Sequence, residues 1–299
     1  MIITLTGGTG FIGRRLLDHL RAAGHEVRIL CRSPKTGIPP EVELFLWDAM
    51  EADPPLESLE GAGAVVHLAG ETVAQRWSPE IKRRIRASRV EGTRRLVDAL
   101  ARLERKPAVL VSASATGYYG DRGDEELTED AAPGSGFLAD VCREWEAEAR
   151  KAAELGIRVV TPRIGMVLGP DGGALAQMVP PFKMFLGGQL GSGRQWMSWI
   201  HIEDMVRALA FAVENAGLEG PVNAVAPNPV RNSQFTRMLA RTLRRPALFT
   251  VPERGLRLLY GDMAEILLAS QRVLPRALEK AGFIFRFPEL GPALKHLLG

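Results

Sequence analysis

A glycine-rich stretch, Thr6-Gly7-Gly8-Thr9-Gly10-Phe11-Ile12-Gly13, follows an apolar run from Met1 to Leu5 and leads into a segment, 11–23, with helical apolar spacing. Strand, glycine turn and helix in that order constrain the fold more than any other feature of the chain. Gly7 permits the tight turn, Gly10 lets the backbone approach a pyrophosphate, and Gly13 lets the helix pack close to the strand. The helix start presents unpaired N–H groups and the positive end of its dipole to phosphate. Thr9, Phe11 and Ile12 share this turn. The expectation is a dinucleotide site; the alternative is a strand–turn–helix that serves structure alone.

The rest of the first half alternates short apolar runs with helical patterns, the signature of parallel β units. Strands are expected over 2–5, 26–31, 43–46, 64–68, 108–112 and 158–161, and helices over 11–23, 88–103, 140–155 and 203–215. Gly24, Gly61, Gly63, Pro107 and Gly156 punctuate them. The fold class is therefore α/β, a doubly wound parallel sheet of the Rossmann type with a smaller, mostly helical C-terminal lobe. Residues 1–165, with 195–228 returning to them, are assigned to the sheet domain. Residues 166–194 and 229–299 are assigned to the smaller lobe. Ligands of such sheets lie outside the C-terminal ends of the strands.

Composition narrows the functional classes. No apolar run approaches the roughly 20 residues of a membrane span. The apolar start lacks a basic leader and reads as a strand, not a signal peptide. Cys31 and Cys142 are far apart and suggest no disulfide framework or metal site, in keeping with a reducing, cytoplasmic setting. Net charge is only +3. The basic runs Lys82-Arg83-Arg84-Ile85-Arg86 and 241–245 are interleaved with apolar residues and read as solvated helix faces, so neither nucleic acid nor membrane is the expected partner.

The second strand selects the cofactor. A site for NAD usually has Asp or Glu at this strand's C-terminal end, for the ribose 2′-hydroxyl. Here Glu26 stands at the wrong end, and Arg32-Ser33 occupy the right one. A guanidinium there favours the 2′-phosphate of NADP(H) through charge-assisted hydrogen bonds. The alternative is that Arg32 merely covers the adenine face. Trp47 and Asp48, ending the third strand, fall where the adenine should lie.

With that turn, Arg32, His67-Leu68-Ala69-Gly70-Glu71 and the stretch from Ser112 through Ser114, Tyr118 and Tyr119 to Gly120, the chain resembles the extended short-chain dehydrogenase/reductases. Thr161-Pro162-Arg163-Ile164 and Ser198-Trp199-Ile200-His201-Ile202-Glu203-Asp204 extend the resemblance. Gln75-Arg76-Trp77, Lys82 to Arg89, Gly136-Phe137-Leu138, Cys142, Trp145-Glu146 and Gly261-Asp262-Met263-Ala264-Glu265 resemble one epimerase-like subfamily that carries its own C-terminal domain of unknown function. The resemblance covers essentially the whole chain. It implies an NADP(H)-dependent oxidoreductase or epimerase-like enzyme acting on a small molecule, such as a sugar nucleotide or carbonyl compound. It further implies that Leu68, Ala69, Gly70, Glu71, Ser112, Pro162 and Arg163 join the cofactor site. Arg163, Arg194 and Arg231 could contact a sugar nucleotide. Relatives often dimerise through two helices, here 80–103 and 140–155, and a homodimer is left open.

The family's chemistry uses a tyrosine four residues before a lysine, with the lysine lowering the tyrosine pKa from about 10 towards neutrality. This chain departs from that pattern: Phe137 and Val141 stand in those places, and no Tyr-x-x-x-Lys occurs anywhere. Ser114 fits the family's serine, or else satisfies the strand end. Tyr118 and Tyr119 are the candidate proton donors. Glu71 is either a substrate or acid/base contact or a helix-start carboxylate. Trp77, Trp196 and Trp199 are read as core ahead of pocket, Cys142 as buried and inert, and His201 as part of a structural network. A second reading, prompted by the missing pair, is a non-catalytic NADP(H)-binding redox sensor or scaffold.

Overall fold

A computed structural model describes residues 1–33 and 37–299. Its main sheet has eight strands, all parallel: β1 (Ile2–Thr6), β2 (Glu26–Cys31), β3 (Glu43–Leu46), β4 (Ala64–His67), β5 (Val109–Ser112), and the strands Ser114–Ala115, Arg158–Ile164 and Gly220–Ala224. Across the sheet β3, β2, β1, β4 and β5 are followed by Arg158–Ile164 and Gly220–Ala224, so the order reverses between β1 and β4. That reversal opens the crevice in which doubly wound sheets take ligands.

Both faces are buried, as parallel sheets require. Successive side chains alternate: Ile3, Leu5, Ile29, Val66 and Val111 face α1 (Phe11–Ala22) and the helix Ile202–Glu214. Leu30, Val65, Leu110 and Val159 face α2 (Pro79–Arg102) and α3 (Phe137–Arg150). The helices Gly173–Lys183, Asn232–Leu243 and Leu290–Leu298 enclose a further core around Trp199 and Phe235. Asp204, fully buried, ties this part to the sheet: its carboxylate accepts the backbone N–H groups of Arg286 at 2.9 Å and Phe287 at 2.8 Å.

Several boundaries differ from the sequence expectation, α3 for instance starting at Phe137, and two of the shifts have a clear local cause. Helix α2 begins at Pro79, nine residues before the expected start at Ser88, because Ser78 caps it, accepting the Ile81 N–H at 3.2 Å, and Pro79 suits its first turn. The strand from Arg158 runs on to Ile164. Pro162 is tolerated opposite the interruption between Val111, which pairs Val160, and Ser114, which pairs Arg163. No helix among the described residues is long and apolar enough to cross a membrane.

Candidate functional site

Sterics alone demand glycine in the turn between β1 and α1. Gly7 has φ +69°, and a Cβ there would stand 2.8 Å from the Leu68 carbonyl carbon. A Cβ on Gly13 would stand 2.2 Å from the Gly7 oxygen. The loops after β1 and β4 are therefore in backbone contact. Helix α1 follows directly on Gly10, which offers no side-chain cap, and has no acid in its first turn. Its first N–H groups are left for an anion, whereas Ser78 and Glu80 serve that end of α2. Phe11 leans away, its ring filling the space that side chains on Gly169 and Gly172 would occupy.

The floor of the crevice is pinned by Thr6 and His67. The Thr6 hydroxyl lies 2.7 Å from His67 Nδ1 and accepts the Ala69 N–H at 3.1 Å, while His67 Nε2 lies 3.1 Å from the Thr93 hydroxyl. Burial, with Arg89 nearby, pulls His67 down to about 4, so the ring is neutral at pH 7 and both nitrogens serve structure.

At the rim, Arg32 and Ser33 are exposed at the end of β2. The Arg32 guanidinium lies 3.7 Å from Glu71, whose carboxylate is also held by Arg84 at 3.0 Å. Partial burial opposes ionisation of Glu71, but the two arginines hold it below the usual carboxylate range. Trp47 differs from the expectation of an adenine neighbour. Its indole is 5% exposed within the core and donates to the Ala52 carbonyl at 2.7 Å. The Asp48 carboxylate, half-buried beside it, accepts the Met50 N–H at 2.9 Å.

A closed polar cluster occupies the ends of β5 and Arg158–Ile164. Glu146, on α3, pairs with Arg163 at 2.8 and 2.9 Å, and both side chains are 3% exposed or less. Ser114 donates to the same carboxylate at 2.7 Å. Arg163 also donates to the Tyr119 hydroxyl at 2.9 Å and the Glu129 carbonyl at 3.0 Å. The expectation that Arg163 reaches a cofactor or substrate is corrected here: its donors are spent inside the protein. Tyr119 as proton donor is corrected too. It is fully buried, hydrogen-bonds Asn223 at 2.6 Å, and burial pushes it up to about 12 despite Arg163. Tyr118 is different. It is half-buried, its ring lies 3.5 Å from the Arg163 guanidinium carbon, and its hydroxyl has no hydrogen bond among the described residues. Ser112, fully buried at the end of β5, also has a hydroxyl without a hydrogen-bond partner among the described residues.

Phe137, standing where the family's tyrosine would be, packs edge-on against Trp77 with centroids 5.3 Å apart. Trp77 and Trp199 are core residues, while Trp196 is held between Arg231 and Arg272 at 4.3 and 4.9 Å. Burial pushes Cys142 up to about 11. His201 accepts the Glu203 N–H at 3.0 Å and stacks on Phe287 at 3.8 Å, the expected structural role. Glu129 and Asn223 were missed by the sequence reading, and Glu146 and Arg89 entered it only as part of the family resemblance, without a role. For Arg89 a signal existed: it falls among Ile85, Ser88 and Gly92, on the buried stripe of α2.

A parallel sheet reversing beside a glycine-built anion cradle defines a dinucleotide-binding α/β protein. The chain belongs to the NAD dependent epimerase/dehydratase family, whose match spans residues 3–225, and a domain of unknown function (DUF1731) follows over 251–297. It is 43% identical to the chloroplastic epimerase family protein SDR39U1 homolog of Arabidopsis thaliana, over 100% of this chain and 87% of that protein. It is 38% identical to the epimerase family protein YfhF of Bacillus subtilis, covering 100% and 98%. A solved structure of human SDR39U1 (isoform 2) with NADPH superposes with a TM-score of 0.89 at 34% identity, covering 100% of this chain and 99% of that one.

Proposed function

We propose that this protein is an NADP(H)-dependent oxidoreductase or epimerase-like enzyme acting on a small carbonyl or hydroxyl compound, with a sugar nucleotide as one substrate class. One observation carries the reading. The capless glycine cradle faces a β2 end that bears exposed Arg32 and Ser33 and no acid. The human relative's NADPH supports it. The N–H groups at Phe11, Ile12 and Gly13 would hold the diphosphate. Arg32 and Ser33 would hold the 2′-phosphate, with Leu68, Ala69 and Gly70 lining the crevice. Bound NADP(H) would supply a hydride donor or acceptor. Tyr118 is the proposed proton donor, since its hydroxyl alone in the Ser114–Tyr118–Tyr119 set is uncommitted. Ser114 and Tyr119 then act through Glu146 and Asn223 as supports of the Tyr118–Arg163 stack.

Calorimetric titration with NADPH and NADH tests the cofactor. Arg32→Ala is expected to weaken NADPH by about 10- to 100-fold, the worth of a charged hydrogen-bond pair, and NADH by no more than about threefold. Equal losses would refute the 2′-phosphate role, and failure to bind either nucleotide would refute the reading. An NADPH-oxidation screen over carbonyl compounds tests the chemistry. Tyr118→Phe should cut kcat by about 100-fold or more, the usual worth of a general acid, with NADPH affinity retained. Full turnover in that variant removes Tyr118 from the mechanism. Phe137, locked against Trp77 with no proton to give, favours a second reading: a non-catalytic NADP(H)-binding sensor or scaffold. Steady NADPH consumption by the wild type excludes it.

A further inference from the structure

Two helices of the core around Trp199 and Phe235 stop on the same kind of turn. Gly173–Lys183 closes with the Leu186 N–H on the Pro181 carbonyl at 2.9 Å, and Asn232–Leu243 with the Arg245 N–H on the Ala240 carbonyl at 2.9 Å. The left-handed position in such a turn is usually glycine. Here it holds Phe185, φ +63°, and Arg244, φ +54°, the only two non-glycine residues with positive φ among the described residues. The two helix ends lie side by side, since the Arg245 guanidinium carbon stands 5.0 Å from the centre of the Phe185 ring. The short strands Gly188–Leu190 and Phe249–Val251 pair in parallel and start from the same place. Four elements therefore begin or end at one tip.

What projects from this tip is apolar and positive. Met184, Phe185, Leu186, Leu248 and Phe249 are 53% to 84% exposed, a cluster of the kind that marks a contact surface. Beside them Arg237, Arg241, Arg244 and Arg245 line an open recess of ≈ 430 Å³, and exposed Lys183 ends the other helix. None of these five cations has a carboxylate partner among the described residues, whereas Arg231 and Arg257 pair with Asp124 and Glu253. The surrounding chain offers none, because residues 172–202 and 220–252 contain no Asp or Glu. As sequence, 241–245 reads as a solvated helix face; the fold sets it against exposed apolar side chains. A protein partner would bury such side chains in a groove or against a flat face. Apolar groups carried outward on turns and rimmed by guanidiniums instead match a bilayer surface, where apolar groups enter the acyl boundary and cations meet lipid phosphate.

We infer that this tip attaches the protein peripherally to an anionic lipid bilayer, its five apolar side chains entering the surface layer and its five cations binding lipid phosphates. Such attachment needs no membrane-crossing helix and uses no residue of the dinucleotide crevice, so it stands apart from the NADP(H) reading. The full chain is sedimented with vesicles of phosphatidylcholine alone and of one part phosphatidylglycerol to two parts phosphatidylcholine, at low and physiological salt. The wild type should favour the anionic vesicles by about tenfold or more, and the preference should shrink as salt screens the arginines. Phe185→Gly should weaken anionic-vesicle binding about tenfold, the worth of one inserted aromatic side chain. Arg244→Gly/Arg245→Gln should weaken it about 30-fold, the worth of two cations at the surface. Glycine suits both left-handed positions, so each variant should melt no lower than the wild type, and lost binding is then not lost folding. A wild type that ignores anionic vesicles, or binds neutral ones equally well, overturns the assignment, as does full binding by either variant. Binding of poly-glutamate without binding of vesicles overturns it in favour of an acidic protein partner. A wild-type dimer that becomes a monomer in Phe185→Gly, read by sedimentation velocity, overturns it in favour of a second copy of this chain.

Discussion

Arg163→Met is expected to lower the unfolding free energy by about 3–5 kcal/mol, the cost of leaving one member of a buried ion pair alone. The effect comes from the partner left behind. Glu146 is 2% exposed, and its carboxylate is met by Arg163 at 2.8 and 2.9 Å and by Ser114 at 2.7 Å. Without the guanidinium, one neutral hydroxyl remains to solvate a carboxylate in a low-dielectric interior. Tyr119 loses a donor at 2.9 Å, and Tyr118 loses the cation beneath its ring. Arg163→Lys should fall between wild type and Arg163→Met, because a single ammonium cannot reproduce the two-pronged contact with Glu146. Urea denaturation at pH 7 measures both. The double variant Arg163→Met/Glu146→Met should recover much of the loss, since an apolar replacement of both partners leaves no orphaned charge. A loss below about 1 kcal/mol in Arg163→Met would show that water reaches the cluster, contrary to the 3% and 2% exposure of the paired side chains.

Gly13→Ala should abolish measurable dinucleotide binding, a loss of more than about 100-fold, a larger effect than loss of one charged contact. The added Cβ would stand 2.2 Å from the Gly7 oxygen and 2.7 Å from the Gly8 Cα. Both are backbone atoms, so no side-chain rotation relieves the clash. Either α1 withdraws from the turn or the turn opens, and each outcome moves the helix N-terminus away from the phosphates. The same calorimetry reads the effect, with circular dichroism to confirm that the α/β fold persists. Gly24→Ala is the contrasting control: nothing lies within 4 Å of its Cβ position, so its φ of +81° leaves only local backbone strain far from the crevice. NADPH binding retained by Gly13→Ala would mean that the close helix–turn approach is not what seats the phosphates.

The parts of the site that were legible in the sequence are those set by local chain geometry. Gly7, Gly10 and Gly13 announce the turn through their spacing, and Arg32 follows from its place at the end of an alternating strand. The lack of Tyr-x-x-x-Lys is visible by inspection. Less legible was anything that depends on which way a helix turns. The arginine-rich start of α2 obscured nine helical residues, and the reading of 82–86 as a solvated face did not extend to Arg89, which shares the stripe of Ile85 and Gly92. Adjacent tyrosines had no distinguishing local pattern. A short helical turn over 116–119 sends Tyr119 inward to Asn223 and leaves Tyr118 half-buried against Arg163.

By itself the sequence determined the doubly wound sheet, the dinucleotide turn and the absence of the family's usual acid/base pair, because periodicity and glycine spacing act over a few residues. Tertiary structure alone decided the fate of the charges. Arg163 is closed off by Glu146, 17 positions away, while Arg32 stays exposed at the end of β2 beside Glu71 and Arg89 meets only the Glu71 and Ile85 carbonyls. The energy of a buried ion depends on the partners that distant segments bring to it, and no local pattern records those.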